Sequence, residues 1–230
     1  MNIAIIPARG GSKGIPKKNL RKINNESLLS RTIKAAKAAK RIDNIYVSSD
    51  DQEILDEAIK FKAKTIERTK ELSLDATSTE PVILDALNKI EERSEKVTLI
   101  IILQCTSAFT TPSEIDNVIS FLEKNETKHD AAFAASLFHG FIWKYDINKK
   151  IANGINHSSS KARERRQVIK EKQYLELGSV YAVKIESFIS SQSRFGFNPK
   201  PIPVDSINSY LEIDTFKDLE IASSISLDHG

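Results

Sequence analysis

The sequence predicts an α/β protein built on a doubly wound, mostly parallel sheet, Rossmann-like in its winding. Three observations carry that expectation. The chain opens on a short β-branched apolar run, Asn2 to Ile6, too short for a helix and suited to a buried parallel strand. Its most hydrophobic stretch, Val97 to Leu103, reads as the central buried strand. Between and after these, strand-like runs alternate with amphipathic stretches of roughly ten to fifteen residues, the pattern of βαβ units.

Each element has its own reason. Ser27 to Lys40 sets Leu28, Leu29, Ile33, Ala36 and Ala39 at helical spacing, with cations on the opposite face. Ile45 to Ser49 is a second strand ending at Asp50, and Asp51 to Lys62 a helix that starts acidic, as the dipole favours. Lys64 to Glu67 is a short strand leading to Arg68, followed by an irregular polar stretch and a helix from Glu80 to Glu92. Pro112 to Lys124 reads as a helix with Thr111 as cap and Pro112 at its first position.

Asp130 to Ser136 is a further strand, after which residues 138–176 look irregular and hold the single tryptophan. Gly178 to Lys184 is a strand, Phe188 sits on a short helix, and Pro199 to Val204 forms a proline-marked edge. Tyr210 to Asp214 is read as a last strand segment, with a terminal helix from Thr215 to about Ser226.

The composition bounds the function. A chain of 230 residues with 40% hydrophobic and 28% charged content supports one sizeable core, so residues 1–230 are taken as one domain. A net charge of +3 with intermixed signs argues against a nucleic-acid partner. No apolar run approaches the ~20 residues that span a bilayer, and the opening strand carries no signal-peptide pattern. One cysteine, Cys105, leaves no internal disulfide and fits a reducing cytoplasm. It reads as a buried structural thiol rather than a nucleophile, because no histidine is placed beside it by spacing.

The loop after the first strand is rich in chemistry. Gly10, Gly11 and Gly14 let backbone N–H groups approach a ligand, and Arg9, Lys13, Lys17 and Lys18 surround them, with Ser12 and Asn19 adding polar groups. That combination beside a buried strand end suits a polyphosphate; its alternative is a solvated basic loop. The spacing is neither G-x-x-x-x-G-K-[ST] nor G-x-G-x-x-G, since residue 9 is arginine, so P-loop and dinucleotide readings both fail.

Near the other end, Glu212 and Asp214 alternate with Leu211 and Ile213, which sends both carboxylates to one face of a strand. Two such oxygens with phosphates and water would hold Mg²⁺, yet Asp214 could equally cap the terminal helix. The run Lys161 to Gln167 lacks interleaved aromatics and reads as a solvated loop rather than a nucleic-acid patch.

The opening P-A-R-G-G-S-K-G-I-P-x-K-N resembles the start of the N-acylneuraminate cytidylyltransferases, which make CMP-sialic acid and its relatives. The resemblance implies transfer from CTP to a nonulosonic sugar acid, with Mg²⁺ or Mn²⁺, in a cytoplasmic homodimer. It assigns nucleotide contacts to Arg9, Gly10, Gly11, Ser12, Lys13, Asn19, Arg68 and Thr79, with Arg9, Lys13 and Asp214 catalytic. Lys13 would neutralise the leaving pyrophosphate, and Arg68 would read O2 and N3 of cytosine. Sugar contacts fall on Gln104, Lys144, Arg166, Gln167 and Tyr181, and metal ligation on Asp214 and Glu212.

The resemblance also makes residues 138–182 an excursion that exchanges contacts between two subunits and helps form the partner's sugar site. Departures around the sugar are Cys105 for a proline after Gln104, Thr110 for an arginine and Leu177 for an asparagine; elsewhere Thr69 replaces a proline after Arg68 and Glu212 stands where the family has aspartate. They leave legionaminic, pseudaminic and octulosonic acids open as substrates, beside a nucleotide-binding subunit without catalysis.

Overall fold

A computed structural model describes residues 1–74, 76–91, 96–125, 127–158, 162, 171–204 and 210–227. Among them a seven-stranded sheet carries the fold. Its strands in chain order are β1 (Asn2–Pro7), β4 (Asn44–Ser49), β5 (Lys64–Glu67), β6 (Leu99–Leu103), β7 (Ala131–Phe138), β10 (Gln173–Lys184) and β11 (Pro199–Pro203). Two small hairpins lie outside it: β2 (Lys22–Ile23) with β3 (Glu26–Ser27), and β8 (Trp143–Asp146) with β9 (Ile151–Gly154).

The spatial order is β11-β7-β10-β6-β1-β4-β5, with β6 at the centre as its five apolar residues require. Six strands share one direction and β10 alone runs against them, pairing antiparallel with both β6 and β7. The parallel strands β1, β4, β5 and β6 therefore end at the same edge of the sheet.

Strand alternation splits the core in two. Ala4, Ile6, Val47 and Ile101 face the helices α1 (Leu28–Ala38), α2 (Gln52–Lys60), α4 (Pro112–Lys124) and α6 (Phe216–Leu227). Ile3, Ile5, Tyr46 and Ile102 face α3 (Thr79–Glu91) and α5 (Ile185–Ser191). Helices on both faces make the sheet doubly wound, as predicted.

The caps follow the residues. Ser27 accepts the N–H of Ser30, Asp51 accepts those of Glu53 and Ile54, and Thr111 with Glu114 forms a reciprocal capping box. Each such cap contributes about 1 kcal/mol.

Two expectations need correction. Tyr210 to Asp214 is not a sheet strand: Ile213 N–H donates to Thr106 O (2.9 Å), but the segment joins no ladder. The alternation survives, because Ile213 is buried while Glu212 and Asp214 are exposed. Part of the stretch read as irregular is the β8–β9 hairpin, whose base closes where Gln173 pairs with Phe138. Asp75 and most of Lys161 to Gln167 lie outside the described residues.

Candidate functional site

The C-terminal tips of the parallel strands open onto a cavity of about 400 Å³. In an open α/β sheet ligands bind at this edge. Arg9, Ser12, Lys13, Gly14, Lys18 and Asn19 come to it from the loop after β1, and Arg68 from the end of β5. Thr79 enters from the start of α3, Gln104 to Thr106 from the exit of β6, and Asp214 from the segment before α6.

The loop is held in shape by its own polar groups. Asn19, almost fully buried, donates from its side-chain amide to the Arg9 carbonyl (3.0 Å) and closes the turn. Lys17 leaves the cavity to pair with Glu53 on α2. Lys18 instead turns inward, and its Nζ lies 2.8 Å from Asp214 Oδ1. At residue 14 a Cβ would collide with the Asp214 carbonyl oxygen, so glycine lets the two distant segments touch.

Asp214 does not cap α6. Thr215 accepts the Asp218 N–H through its hydroxyl (3.3 Å), and Asp218 Oδ2 accepts the Thr215 N–H (2.7 Å). With the cap made by those two, the Asp214 carboxylate is left facing the cavity.

Arg68 is a buried cation at this site. Its side chain is 3% exposed, its Nη2 lies 3.8 Å from Asp50 Oδ1, and its Nε has no hydrogen-bond partner among the described residues. Burial lowers its pKa, with Asp50 opposing that shift and Arg9 adding to it. A buried donor without a partner costs roughly 1–3 kcal/mol, which marks the place where a ligand acceptor belongs.

A second, open cavity of about 560 Å³ adjoins the first through Gln104, which lines both. Glu80, Glu176, Tyr181, Arg194, Phe195 and Glu212 form its other walls. The Tyr181 hydroxyl donates to Glu176, and burial together with that carboxylate pushes its pKa up. Arg194 donates from Nε to Glu80 (2.8 Å) and lies over the Tyr181 ring at 5.0 Å. Glu212 faces this side and accepts the Gly178 N–H (2.9 Å), at an irregularity in the β7–β10 register between Glu176 and Tyr181.

Most predicted site residues thus converge, with exceptions. Gly10 and Gly11 do not line the cavity, and Gly10 instead packs against Asp50 and Asp51. Lys144 stands exposed on β8 and lines neither cavity. Arg166 and Gln167 lie outside the described residues. Cys105 is buried against the first cavity, its thiol pushed up to about 12 by burial, so it is no nucleophile at neutral pH.

Sequence reasoning missed Lys18 as a partner of Asp214, and missed Glu80, Glu176, Arg194 and Asp50 altogether. Asp50 directly follows the last residue of a parallel strand, a position that points to ligand sites. Arg194 sits in a polar SQSRFG run with no periodic or motif signal.

A cationic glycine loop, a buried arginine and a carboxylate around one cavity at the carboxyl edge of a doubly wound sheet define a nucleotidyltransferase type of site. Residues 3–178 match the Cytidylyltransferase family model, and the chain belongs to that family. It is 30% identical over 224 residues to pseudaminic acid cytidylyltransferase of Campylobacter jejuni, covering 96% of this chain and 94% of that protein. It is 32% identical over 141 residues to N-acylneuraminate cytidylyltransferase A of Danio rerio, a match that spans 61% of this chain but 31% of the longer relative. CMP-N,N'-diacetyllegionaminic acid synthase of Legionella pneumophila is 26% identical over 214 residues, 93% of this chain and 90% of its own.

Among solved structures, CMP:2-keto-3-deoxy-manno-octonic acid synthetase complexed with CTP superposes with a TM-score of 0.72 at 16% identity, covering 100% of this chain and 99% of the other. That likeness is one of fold. The resemblance carried by the opening motif is borne out, and the chain is an enzyme of the cytidylyltransferase type.

Proposed function

We propose that the chain transfers the cytidylyl group of CTP to a hydroxyl of a nonulosonic, sialic-type α-keto acid sugar. The sugar oxygen bonds to the α-phosphorus as its hydroxyl proton passes to solvent, the bond from that phosphorus to the α–β bridging oxygen breaks, and pyrophosphate departs. The supporting observation is the meeting of the amino-terminal cationic loop and Asp214 in one cavity. Charge neutralisation and positioning are what this reaction chiefly asks of a protein.

Arg9, Ser12 and Lys13 receive the triphosphate, and Lys13 stabilises charge gathering on the departing pyrophosphate. Thr79 and Arg68 hold the nucleoside end, with cytosine O2 or N3 supplying the acceptor that Arg68 Nε otherwise lacks. Gln104, lining both cavities, stands where the two substrates meet, and Tyr181 faces the sugar side.

The donor set fits a hard divalent ion in part. No group of three His, Cys, Asp or Glu is gathered among the described residues, but Mg²⁺ in nucleotide sites takes only one or two carboxylates beside phosphate oxygens. The Asp214 side chain is 63% exposed, so its pair with Lys18 is worth under about 1 kcal/mol and can be exchanged for a metal cheaply. Glu212, engaged by Gly178, is the weaker candidate. Mg²⁺ or Mn²⁺ held by Asp214 would supply further neutralisation of phosphate charge.

A homodimer accords with the β8–β9 excursion. Trp143, Tyr145, Ile147, Ile151 and Ile155 stand exposed along it, Trp143 and Tyr145 on one face of the hairpin and Ile151 on the other, apolar surface of the kind that partners cover. Lys144 on the same hairpin would then serve the partner's sugar site. No helix among the described residues is long and apolar enough to cross a membrane, and the lone buried thiol suits a cytoplasmic setting.

The test is pyrophosphate release with CTP, Mg²⁺ and a panel of sialic, pseudaminic, legionaminic and octulosonic acids. Turnover with a nonulosonic acid is expected. Tight CTP binding without release from any of them would make the chain a nucleotide-binding subunit instead.

A further inference from the structure

Asp50 bridges two parts of the site that are far apart in sequence. It directly follows β4, and its Oδ1 accepts the Gly10 N–H at 3.0 Å while lying 3.8 Å from Arg68 Nη2. Both partners are constrained. Arg68 is buried, and its own backbone N–H donates to Ser49 O (3.0 Å), which fixes where its side chain starts. Gly10 lies so close to the strand tip that a Cβ would come within 2.7 Å of Asp51 Cβ, so the loop backbone rests directly on the Asp50–Asp51 corner.

Asp51 is otherwise occupied in capping α2, accepting from Glu53 and Ile54 at 2.9 and 3.2 Å. Asp50 is therefore the carboxylate that accepts from the loop backbone and pairs with the arginine, offsetting burial and the field of Arg9 together with a smaller contribution from Asp85.

We propose that Asp50 is a positioning residue: one carboxylate oxygen sets the glycine loop and the Arg68 guanidinium relative to each other, so that a triphosphate and its base are read together. The inference rests on the reading of Arg68 as the base contact. A carboxamide in place of Asp50 could still accept from Gly10 but would remove the larger of the two carboxylate charges, Asp50 and Asp85, that offset Arg68. Removing the side chain would release both.

The experiment measures equilibrium affinity of the full-length protein for CTP and for inorganic tripolyphosphate, in wild type, Asp50→Asn and Asp50→Ala. For Asp50→Asn, CTP affinity should fall by about ten- to a hundredfold relative to tripolyphosphate affinity, as loss of a charge partner does. Asp50→Ala should weaken tripolyphosphate as well, because the loop loses its anchor. Because dissociation constants refer to folded molecules, a partly unfolded preparation lowers binding capacity without moving the ratio.

A wild-type CTP-to-tripolyphosphate ratio in Asp50→Asn would overturn the proposal, as would unchanged tripolyphosphate affinity in Asp50→Ala. Failure of the wild type to bind CTP more tightly than tripolyphosphate would instead sink the base-contact reading on which it stands.

Discussion

Lys18 Nζ and Asp214 Oδ1 lie 2.8 Å apart although 196 positions separate them in the chain. The contact joins the first loop of the sheet to the segment before the last helix, and it does so at a cavity rather than in the core. An ion pair with one partner exposed adds little to stability. On the proposed reading, the triphosphate and its cation would part these two charges.

Lys13→Ala is expected to lower kcat by about two to three orders of magnitude while leaving the fold intact, the scale seen when one transition-state donor is removed. Lys13 is exposed on the cavity lining, so thermal stability should not change. Steady-state pyrophosphate release, paired with a melting curve, checks both halves; near-normal turnover would remove Lys13 from the chemistry.

Asp214→Asn should raise the Mg²⁺ concentration needed for half-maximal activity by about tenfold or more, because a neutral amide is a poor ligand for a hard cation. Since Thr215 and Asp218 make the helix cap, stability should hold. A metal titration that coincides with wild type would strip Asp214 of its role.

Gly14→Ala places a methyl group against the Asp214 carbonyl oxygen. Overpacking of this kind costs about 1–3 kcal/mol, and here the strain separates the loop from the carboxylate. We expect a lowered urea midpoint together with a loss of turnover larger than that midpoint explains. Equal turnover per folded molecule would show that the contact does not matter to the site.

Asp218 makes the carboxyl-terminal cap sensitive to acid. Hydrogen bonds from the Thr215 hydroxyl and N–H, and from the Asp214 N–H, hold its carboxyl below the ordinary 3.8. A depressed folded-state pKa contributes stability above the unfolded value that is lost as pH falls through the folded one, so α6 should loosen below about pH 4. Urea unfolding followed between neutral and acid pH should show this, and Asp218→Asn should flatten the acid limb. Thr215→Ala should cost about 1 kcal/mol at neutral pH.

Tyr145→Glu combined with Ile147→Glu should abolish the proposed homodimer. Both side chains are more than half-exposed on the β8–β9 excursion, so the isolated chain loses no core packing. Sedimentation velocity is expected to show monomers, with sugar turnover reduced if the partner's hairpin completes the site. A persisting dimer would assign assembly to another surface.

Much of the sheet was legible because its strands announce themselves locally. Leu99 to Leu103 is apolar throughout and has to be central, and Thr111-Pro112 marks a helix start that the structure reproduces. The β8–β9 hairpin was not legible: its apolar residues are exposed, so they carry no periodicity imposed by a core. The Tyr210–Asp214 segment alternates like a strand yet pairs with none, because period-two burial needs only one buried neighbour, here supplied by the Thr106 carbonyl's hold on Ile213.

The site divides in the same way. The amino-acid order alone determined the cationic glycine loop, the family motif and the alternation of Glu212 with Asp214, since each is a matter of neighbours along the chain. Only the tertiary structure decided that Asp214 faces the loop while Thr215 caps the helix, that Glu212 turns to the adjoining cavity, and that Arg68, Asp50 and Gly10 share one corner. Those relations depend on which strand tips lie side by side, and the order β6-β1-β4-β5 is set by packing of both sheet faces rather than by any local pattern.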